Sequence, residues 1–567
     1  MSQSEPTPCG PSGNGPASWV PAFFTDSSVR RCGGEGRFLL GGSPIRLFSL
    51  TSAGAALMDR IELHQSFDAS PAEGQLIRRW LDVGVLHPRA DLSNGVCVNA
   101  MITLVIPVRD RAAGVERLLA SVAADYAAGS LWLAEIIIVD DGSTELFVVQ
   151  FDQALLPPTR VIRCEQSGGP ALARNLGLAQ VETEFVAFVD SDCAVTLGWL
   201  DPLMAQFGDP SVMTVGPRVA AVAPAAAVVA VASPATRSTV TARCVAGLQA
   251  ALEQYELFRS PLDLGPQPGR VKPGTRVSYL PSAALVMRTE VIRQAGGFNP
   301  AMRVGEDVDL IWRLTEGDRN TSASARWASA GSDSARWASA GSDSAGSDSA
   351  GSDSAHSDSA GSDSAVRYEP ASVVHHQIRS DLGAWLQQRV SYGSSAAALE
   401  RAHPGMVAPA VISPWSAAVW GLAATGHLVA ASALAIGTTV QLGKKLPELP
   451  VAEVVRLGIG GHLGAGRQLA RSVQRVWWPV AVPVAVLNRR ARSAVLGAVV
   501  LTAVGSLRER RSTAPTRLRG RAALGFVGLG LLDDMSYGAG VWLGCLRERS
   551  LKALLPSMSR PSGPTPR

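Results

Sequence analysis

The sequence predicts an α/β protein centred on a parallel sheet, with a small winged-helix-sized unit before it and an apolar helical region after it. Three observations carry this expectation. Between 101 and 190, near-continuous apolar strands alternate with helix-like stretches, the pattern of a parallel sheet covered on both faces. From Arg37 to Arg89, strand, turn and helix signals recur within a span that is short for a self-sufficient core. Beyond Pro409, apolar stretches are separated by arginines. With 567 residues the chain has room for more than one domain.

In chain order, residues 1–33 are rich in Ser, Pro and Gly and lack the apolar core of a signal peptide, so they read as a flexible tail. The small unit is expected over 34–92. Phe38-Leu39-Leu40-Gly41-Gly42-Ser43-Pro44 is a strand and turn, and Ile45 to Leu50 alternates as a second strand. Thr51 is placed to cap a helix over Ala53 to Asp59, and Leu76 to Leu81 reads as a helix stopped by Gly84. The main domain is expected over 100–400. Its strands are Ile102–Val108, Glu135–Val139, Val161–Ile162 and Phe185–Val189, and its helices Val115–Ala123 and Ala171–Leu178. Within it, 321–365 is a low-complexity insertion: Ala-Arg-Trp-Ala-Ser-Ala-Gly-Ser-Asp-Ser occurs twice, followed by shorter Ser/Asp units, one carrying His356. Such a composition cannot bury a core, and it lacks the ligand spacing of a calcium loop. Val366 to Pro370 reads as a returning strand before His375 and His376.

The region 405–550 carries apolar stretches at Val411–Leu442, Val476–Leu487, Ser493–Leu507 and Ala522–Leu546. The first and last approach the ~20 residues that span a bilayer, and the middle two suit a hairpin or an interfacial position. Arginine-rich connectors then place the catalytic part on the cytoplasmic side of a cell membrane. Residues 551–567 read as a second tail. A net charge of only +4 gives no reason to expect nucleic acid as a partner. Seven scattered cysteines without a CxxC spacing argue against a disulfide framework or a zinc site.

Three acidic clusters carry the chemistry. Asp140-Asp141-Gly142-Ser143 and Asp190-Ser191-Asp192 each follow a strand, at the carboxyl edge where such sheets bind ligands. Asp190 and Asp192 can hold a divalent cation, Mg²⁺ or Mn²⁺, against the phosphates of a nucleotide. Asp140 can accept from a uracil N–H or a ribose hydroxyl. Glu306 and Asp307 open a helix, where one carboxylate can take a proton from an attacking hydroxyl. Asp309 and Arg313 form an i,i+4 pair. Arg174, after the Gly168-Gly169-Pro170 turn, is placed to meet the nucleotide. An imidazole, His376 before His375, can complete the metal shell.

Together these segments resemble the inverting glycosyltransferases of family 2, which have the GT-A (Rossmann-like nucleotide-diphospho-sugar transferase) fold. The resemblance rests on Val105-Ile106-Pro107-Val108-Arg109-Asp110, Asp140–Ser143, Gly168–Gly177, Asp190–Asp192 and Gly296-Gly297-Phe298 before Gly305-Glu306-Asp307. It implies a hexosyltransferase with a UDP-sugar donor. Pro107, Asp140, Arg174 and Asp190 would meet the nucleotide sugar, with a metal at Asp190 and Asp192 and the base at Asp307. Ser260-Pro261-Leu262-Asp263-Leu264-Gly265, Arg270–Gly274 and Val277–Ala283 are similar to the mycofactocin-system glycosyltransferases, and the Arg37–Arg89 unit to PqqD-like peptide-binding domains. That implies UDP-glucose as donor, premycofactocin or its precursor peptide as acceptor, and β-1,4-linked glucose as product. Two other readings stay open at this point: a membrane-anchored synthase of a cell-envelope polysaccharide, and a non-catalytic peptide-binding scaffold. Gln387-Gln388-Arg389-Val390 is not the QxxRW motif of processive synthases.

Overall fold

The computed structural model describes residues 23–33, 36–65, 69–89, 101–130, 132–145, 148–223, 240–316, 365–379, 381–513, 518 and 520–558. The repeat array expected over 321–365 lies outside the described residues except for Ala365.

The small unit contains β1 (Phe23–Thr25), β2 (Arg30–Cys32), β3 (Phe38–Gly41), β4 (Arg46–Ser49), α1 (Ser52–Glu62), α2 (Pro71–Asp82) and β5 (Leu86–Pro88). Strands β2, β3 and β4 form one antiparallel sheet, and β1 pairs with β5. The tail expected over 1–33 does not hold at its end, because β1 and β2 belong to the unit and Phe23 is buried in its core with Leu39, Leu57 and Trp80; residues 1–22 lie outside the described residues. Thr51 caps α1 as expected, accepting from Gly54 N at 3.1 Å. Helix α2 starts earlier than the apolar run suggested, because Ser70 and Glu73 close a capping box ahead of Leu76.

The main sheet has nine strands among the described residues. Its parallel half is β6 (Ile102–Val108), β7 (Leu133–Asp140), β8 (Thr159–Arg163) and β9 (Phe185–Val189), with α3 (Ala112–Ala127) and α4 (Pro170–Ala179) between strands. Every residue of β6 and β9 is buried, which is why both read as unbroken apolar runs. The other half consists of β10 (Cys193–Val195), β11 (Val212–Val222), β12 (Gly269–Arg270), β13 (Ala284–Arg288) and β14 (Ala365–Gln377). The path runs β10-β14-β11-β13-β9-β6-β7-β8, with β12 on the side of β14. The sheet is thus mixed, not parallel throughout: β13 lies antiparallel between β9 and β11, and β10 antiparallel to β14. Helices α5 (Leu200–Gln206), α6 (Val240–Arg259), α7 (Thr289–Gln294) and α8 (Glu306–Glu316) complete this part.

After β14 come α9 (Leu382–Ser394), α10 (Ala396–Ala402), β15 (Val411–Ile412), α11 (Pro414–Ala424), α12 (Leu428–Lys445), α13 (Val451–Arg475), α14 (Trp478–Leu487), α15 (Arg489–Thr513), α16 (Arg521–Arg547) and β16 (Ser557–Met558). Two expected spans do not hold. Val411–Leu442 is broken between α11 and α12, where Gly426 takes a φ of 90°. Helix α16 packs tightly on α9: a Cβ on Gly540 would stand 2.0 Å from Val390 O, and Asp534 is buried in it. Among the described residues, the one helix long and apolar enough to cross a membrane lies at Arg489–Arg511, and none of its apolar stretch is buried. It outruns the expected Ser493–Leu507 because helix-favouring arginines extend it at both ends. The tail expected over 551–567 does not hold at its start, since β16 pairs with β15 and Trp477 Nε1 donates to Leu554 O at 2.8 Å; residues 559–567 lie outside the described residues.

Candidate active site

Strand β9 delivers Asp190 to the carboxyl edge of the sheet, where a tight turn follows: Cys193 N donates to Asp190 O at 3.0 Å. Helix α3 presses on this turn. A Cβ on Gly114 would stand 2.4 Å from Ser191 O, so glycine is what lets the helix come this close. Asp192 is paired with Arg111 and stands 3.6 Å from His376 Nε2. The register of β10 on β14 makes that meeting, with Cys193 opposite His376 and Ala194 opposite His375. Burial opposes charge on Asp192, but the nearby His376, with Arg111, holds its carboxyl well below the usual carboxylate range. Burial pushes Asp190 the other way, upward, and Arg174 offsets this only in part.

Arg174 ties two of the three clusters together. It comes from α4, whose start is set by Gly169 at a φ of 91° and by Pro170. The side chain is 3% exposed; Nη2 donates to Asp190 Oδ1 at 2.6 Å and Nη1 to Glu306 Oε1 at 2.9 Å. Burial alone would favour neutral arginine, yet the charges of Asp190 and Glu306 hold it firmly cationic. Its guanidinium also lies 5.3 Å from the Phe298 ring centroid. Asn175, the next residue, exchanges two hydrogen bonds with the Phe298 backbone, which fixes the approach to α8.

Glu306 and Asp307 open α8 after Gly305, whose φ is 86°. Burial and the adjacent Asp307 push Glu306 up to about 7, against Arg174. Asp307 is half-buried and accepts from Ser282 N at 3.1 Å and from Val308 N at 2.8 Å. Burial raises its carboxyl more than these N–H groups lower it. The two neighbours therefore differ: Glu306 is hydrogen-bonded to Arg174, while Asp307 feels that charge only at a distance and forms no close ion pair among the described residues. Asp309 pairs with Arg313 as expected, Nε to Oδ2 at 2.9 Å, and also meets His403 at 3.0 Å.

Asp140 ends β7 and is fully buried. It accepts from Ser143 N at 3.0 Å and Ser143 Oγ at 2.5 Å, and pairs with Arg163 at 3.0 Å. Asp141 accepts from Ser167 Oγ, Gly168 N and Gly169 N at 2.7, 2.8 and 2.9 Å, locking this turn to the glycine turn before α4. Pro107 is buried in β6 opposite Val139. The structure thus brings Asp190, Asp192, His376, Arg174 and Glu306 into contact, with Asp307 beside them; Asp140 and Pro107 lie along the same sheet edge.

The sequence model described as Glycosyl transferase family 2 matches residues 103–224. A pre-mycofactocin glycosyltransferase of Mycobacterium tuberculosis is 34% identical over 546 residues, 95% of this chain and 97% of that protein. This chain belongs to the pre-mycofactocin glycosyltransferases of family 2. It is therefore a glycosyltransferase of mycofactocin biosynthesis with a GT-A-like domain, a mixed sheet and a helical C-terminal part. A human polypeptide N-acetylgalactosaminyltransferase 6 is 36% identical over 93 residues, 16% of this chain and 15% of that one. Among solved structures, a Pyrobaculum calidifontis mannosyltransferase in complex with GDP-Man and Mn²⁺ aligns over 69% of this chain and 91% of that one, at 16% identity and a TM-score of 0.32. The S. aureus TarS fragment with UDP aligns over 52% and 65%, at 15% identity and a TM-score of 0.29.

For this glycosyltransferase the metal question can be put to the donor set. Two carboxylates and an imidazole within one turn and one strand pairing offer hard oxygen and nitrogen donors of the kind Mg²⁺ and Mn²⁺ accept. Among the described residues no three such groups already stand as a closed cluster, because Asp190 is turned toward Arg174. The donors fit a cation that keeps several waters. Arg111 is the neighbour that nothing local in the sequence marks; Asp141, Ser282 and Phe298 lie in segments singled out above, but the parts they play there come from the fold.

Proposed function

We propose that this glycosyltransferase transfers glucose from UDP-glucose to premycofactocin with inversion, building a β-1,4-linked oligosaccharide. The acceptor hydroxyl gives its proton to Asp307 as its oxygen attacks the anomeric carbon; that bond forms while the bond to the UDP oxygen breaks. Asp190, Asp192 and His376 would hold Mg²⁺ or Mn²⁺, whose charge offsets the charge growing on the leaving diphosphate. Asp140 and Pro107 would seat the nucleotide. Arg174 holds Asp190 and Glu306 in register, which keeps the metal side and the base side of the pocket at a constant spacing. The observation that carries the reading is this bridge, in a chain that aligns over 95% of its length with a pre-mycofactocin glycosyltransferase.

The small N-terminal unit would act as a PqqD-like module presenting the peptide-derived acceptor. Helix α15 would attach the enzyme to the cell membrane, with the catalytic domain on the cytoplasmic side. The test uses purified full-length protein with UDP-glucose and premycofactocin, read by mass spectrometry. Successive hexose additions that stop in EDTA and return with Mn²⁺ are expected. Full transfer in EDTA would remove the metal assignment. Donor consumption with an envelope glycan acceptor alone would favour the polysaccharide reading, and no consumption with any acceptor would favour the scaffold.

A further inference from the structure

Helix α15 does more than present an apolar surface. Leu496 and Val500 stand one helical turn apart and are exposed, so that side of the helix faces away from the protein. At 23 residues, Arg489–Arg511 is about 35 Å long, enough for a hydrocarbon core of ~30 Å. Beside it, a cavity of about 410 Å³ opens between α15, α13, α16 and the end of α6. Its walls change character along α15: Val499 and Val504 line one part, together with Phe526, and Arg508 lines the end. Arg259, Arg467 and Arg471 converge on that same cavity from α6 and α13.

The charges there do not balance. Four arginines meet two carboxylates, Glu509 and Asp534, which leaves a net charge of +2. Both carboxylates are already engaged, Glu509 by Arg259 at 2.8 Å and Asp534 by Arg475 at 2.8 Å. Among the described residues, Arg467, Arg471 and Arg508 form no close ion pair, and Asp534 and Glu509 act on Arg471 only at longer range. Arg510 adds a further cation at this end, its guanidinium 5.1 Å from the Phe258 ring centroid and its Nε buried without a hydrogen-bond partner.

We propose that this cavity binds an anionic phospholipid, with its phosphate against Arg467, Arg471 and Arg508 and its acyl chains along Val499 and Val504. The pairing of a basic end with an apolar wall suits a molecule that has both, and a water-soluble nucleotide or phosphate would leave the apolar wall uncovered. The proposal rests on the membrane attachment read above for α15, but not on the glycosyl transfer.

The test measures thermal unfolding of the full-length protein in uncharged detergent micelles. Phosphatidylglycerol, phosphatidylcholine and inorganic phosphate are titrated separately. The expected result is stabilisation by phosphatidylglycerol that neither of the other two reproduces. In the triple variant Arg467→Gln, Arg471→Gln, Arg508→Gln the apparent affinity for phosphatidylglycerol falls about a hundredfold, at about fivefold per arginine. If that variant does not fold, the single variants Arg467→Gln and Arg508→Gln each carry the fivefold expectation. Equal stabilisation by phosphatidylcholine, full stabilisation by inorganic phosphate, or unchanged affinity in the variants would each overturn the site. Hexose transfer in micelles should be the same for wild type and variants, so failure here is separate from failure of the assigned reaction.

Discussion

At the scale of single residues, the division of labour between Glu306 and Asp307 decides how the pocket works. Both carboxyls are raised, but only Glu306 is tied to a cation. A base with a raised pKa is protonated over a wider acid range, so transfer should climb as pH rises and reach its plateau above the ordinary carboxylate range. The pH profile of kcat/KM checks this; an acid limb near pH 4 would contradict the base assignment. Arg174 makes a second prediction. Replacing it with Met leaves Asp190 and Glu306 facing one another in a buried site, at a cost of about 3 to 5 kcal/mol in stability. Arg174→Lys keeps a charge but loses the planar fork that reaches both carboxylates, so it should fold and still lose at least tenfold in kcat. Denaturant unfolding and steady-state rates for the two variants check both statements.

At the scale of elements, a clamp of buried charge joins the small unit to the main domain. Asp26, beside β1, accepts from His87 of β5 at 2.8 Å and from Arg276 of the main domain at 2.9 Å. Burial opposes charge on Asp26, yet His87, Arg276 and Ser28 hold its carboxyl far below the usual range. Burial lowers His87 as well, against the pull of Asp26. The signs agree. Asp26 has a depressed folded pKa, so its contribution is complete above about pH 4 and is lost as pH falls through that folded value. His87 is favoured neutral, so stability declines as pH falls below about 6.5. Acidification should loosen the docking of the small unit first, seen as lower amide protection in β1 and β5 at pH 5 than at pH 7 once the intrinsic exchange rate at each pH is divided out. Asp26→Asn should cost about 3 kcal/mol and steepen the loss below pH 6.5, because Asp26 is what supports a proton on the buried His87.

The same scale shows what was legible in the chain. Strands β6, β7 and β9 were readable because burial on both faces leaves unbroken apolar runs, and Thr51 and Gly84 announced their turns locally. Strand β11 was not, because Pro217 and Arg218 interrupt it where its register on β14 shifts. A place for His376 beside the Asp190–Asp192 turn was expected from the histidine pair that follows a returning strand, but the pairing that makes it, β10 on β14, joins residues far apart in the chain. Arg111 reaches Asp192 across a similar gap and left no local signal. The apolar C-terminal stretches misled for a related reason: composition cannot tell a helix buried against α9 from one facing outward, and α16 and α15 have those opposite fates.

At the scale of the whole molecule, a small N-terminal unit, a transferase domain and an outward-facing apolar helix are carried on one chain that matches a pre-mycofactocin glycosyltransferase over 95% of its length. The buried sheet edge gathers the acidic clusters, and the C-terminal helices cover the domain through α9 and α16. The central claim is that Asp307 takes the acceptor's proton during transfer of glucose to premycofactocin. The direct measurement is single-turnover hexose transfer from UDP-glucose by wild type and Asp307→Asn, followed by mass spectrometry, with UDP affinity measured on the same samples. The account predicts a loss of about 10²–10⁴-fold in transfer with UDP affinity within a fewfold of wild type. Near-normal transfer by Asp307→Asn would contradict it.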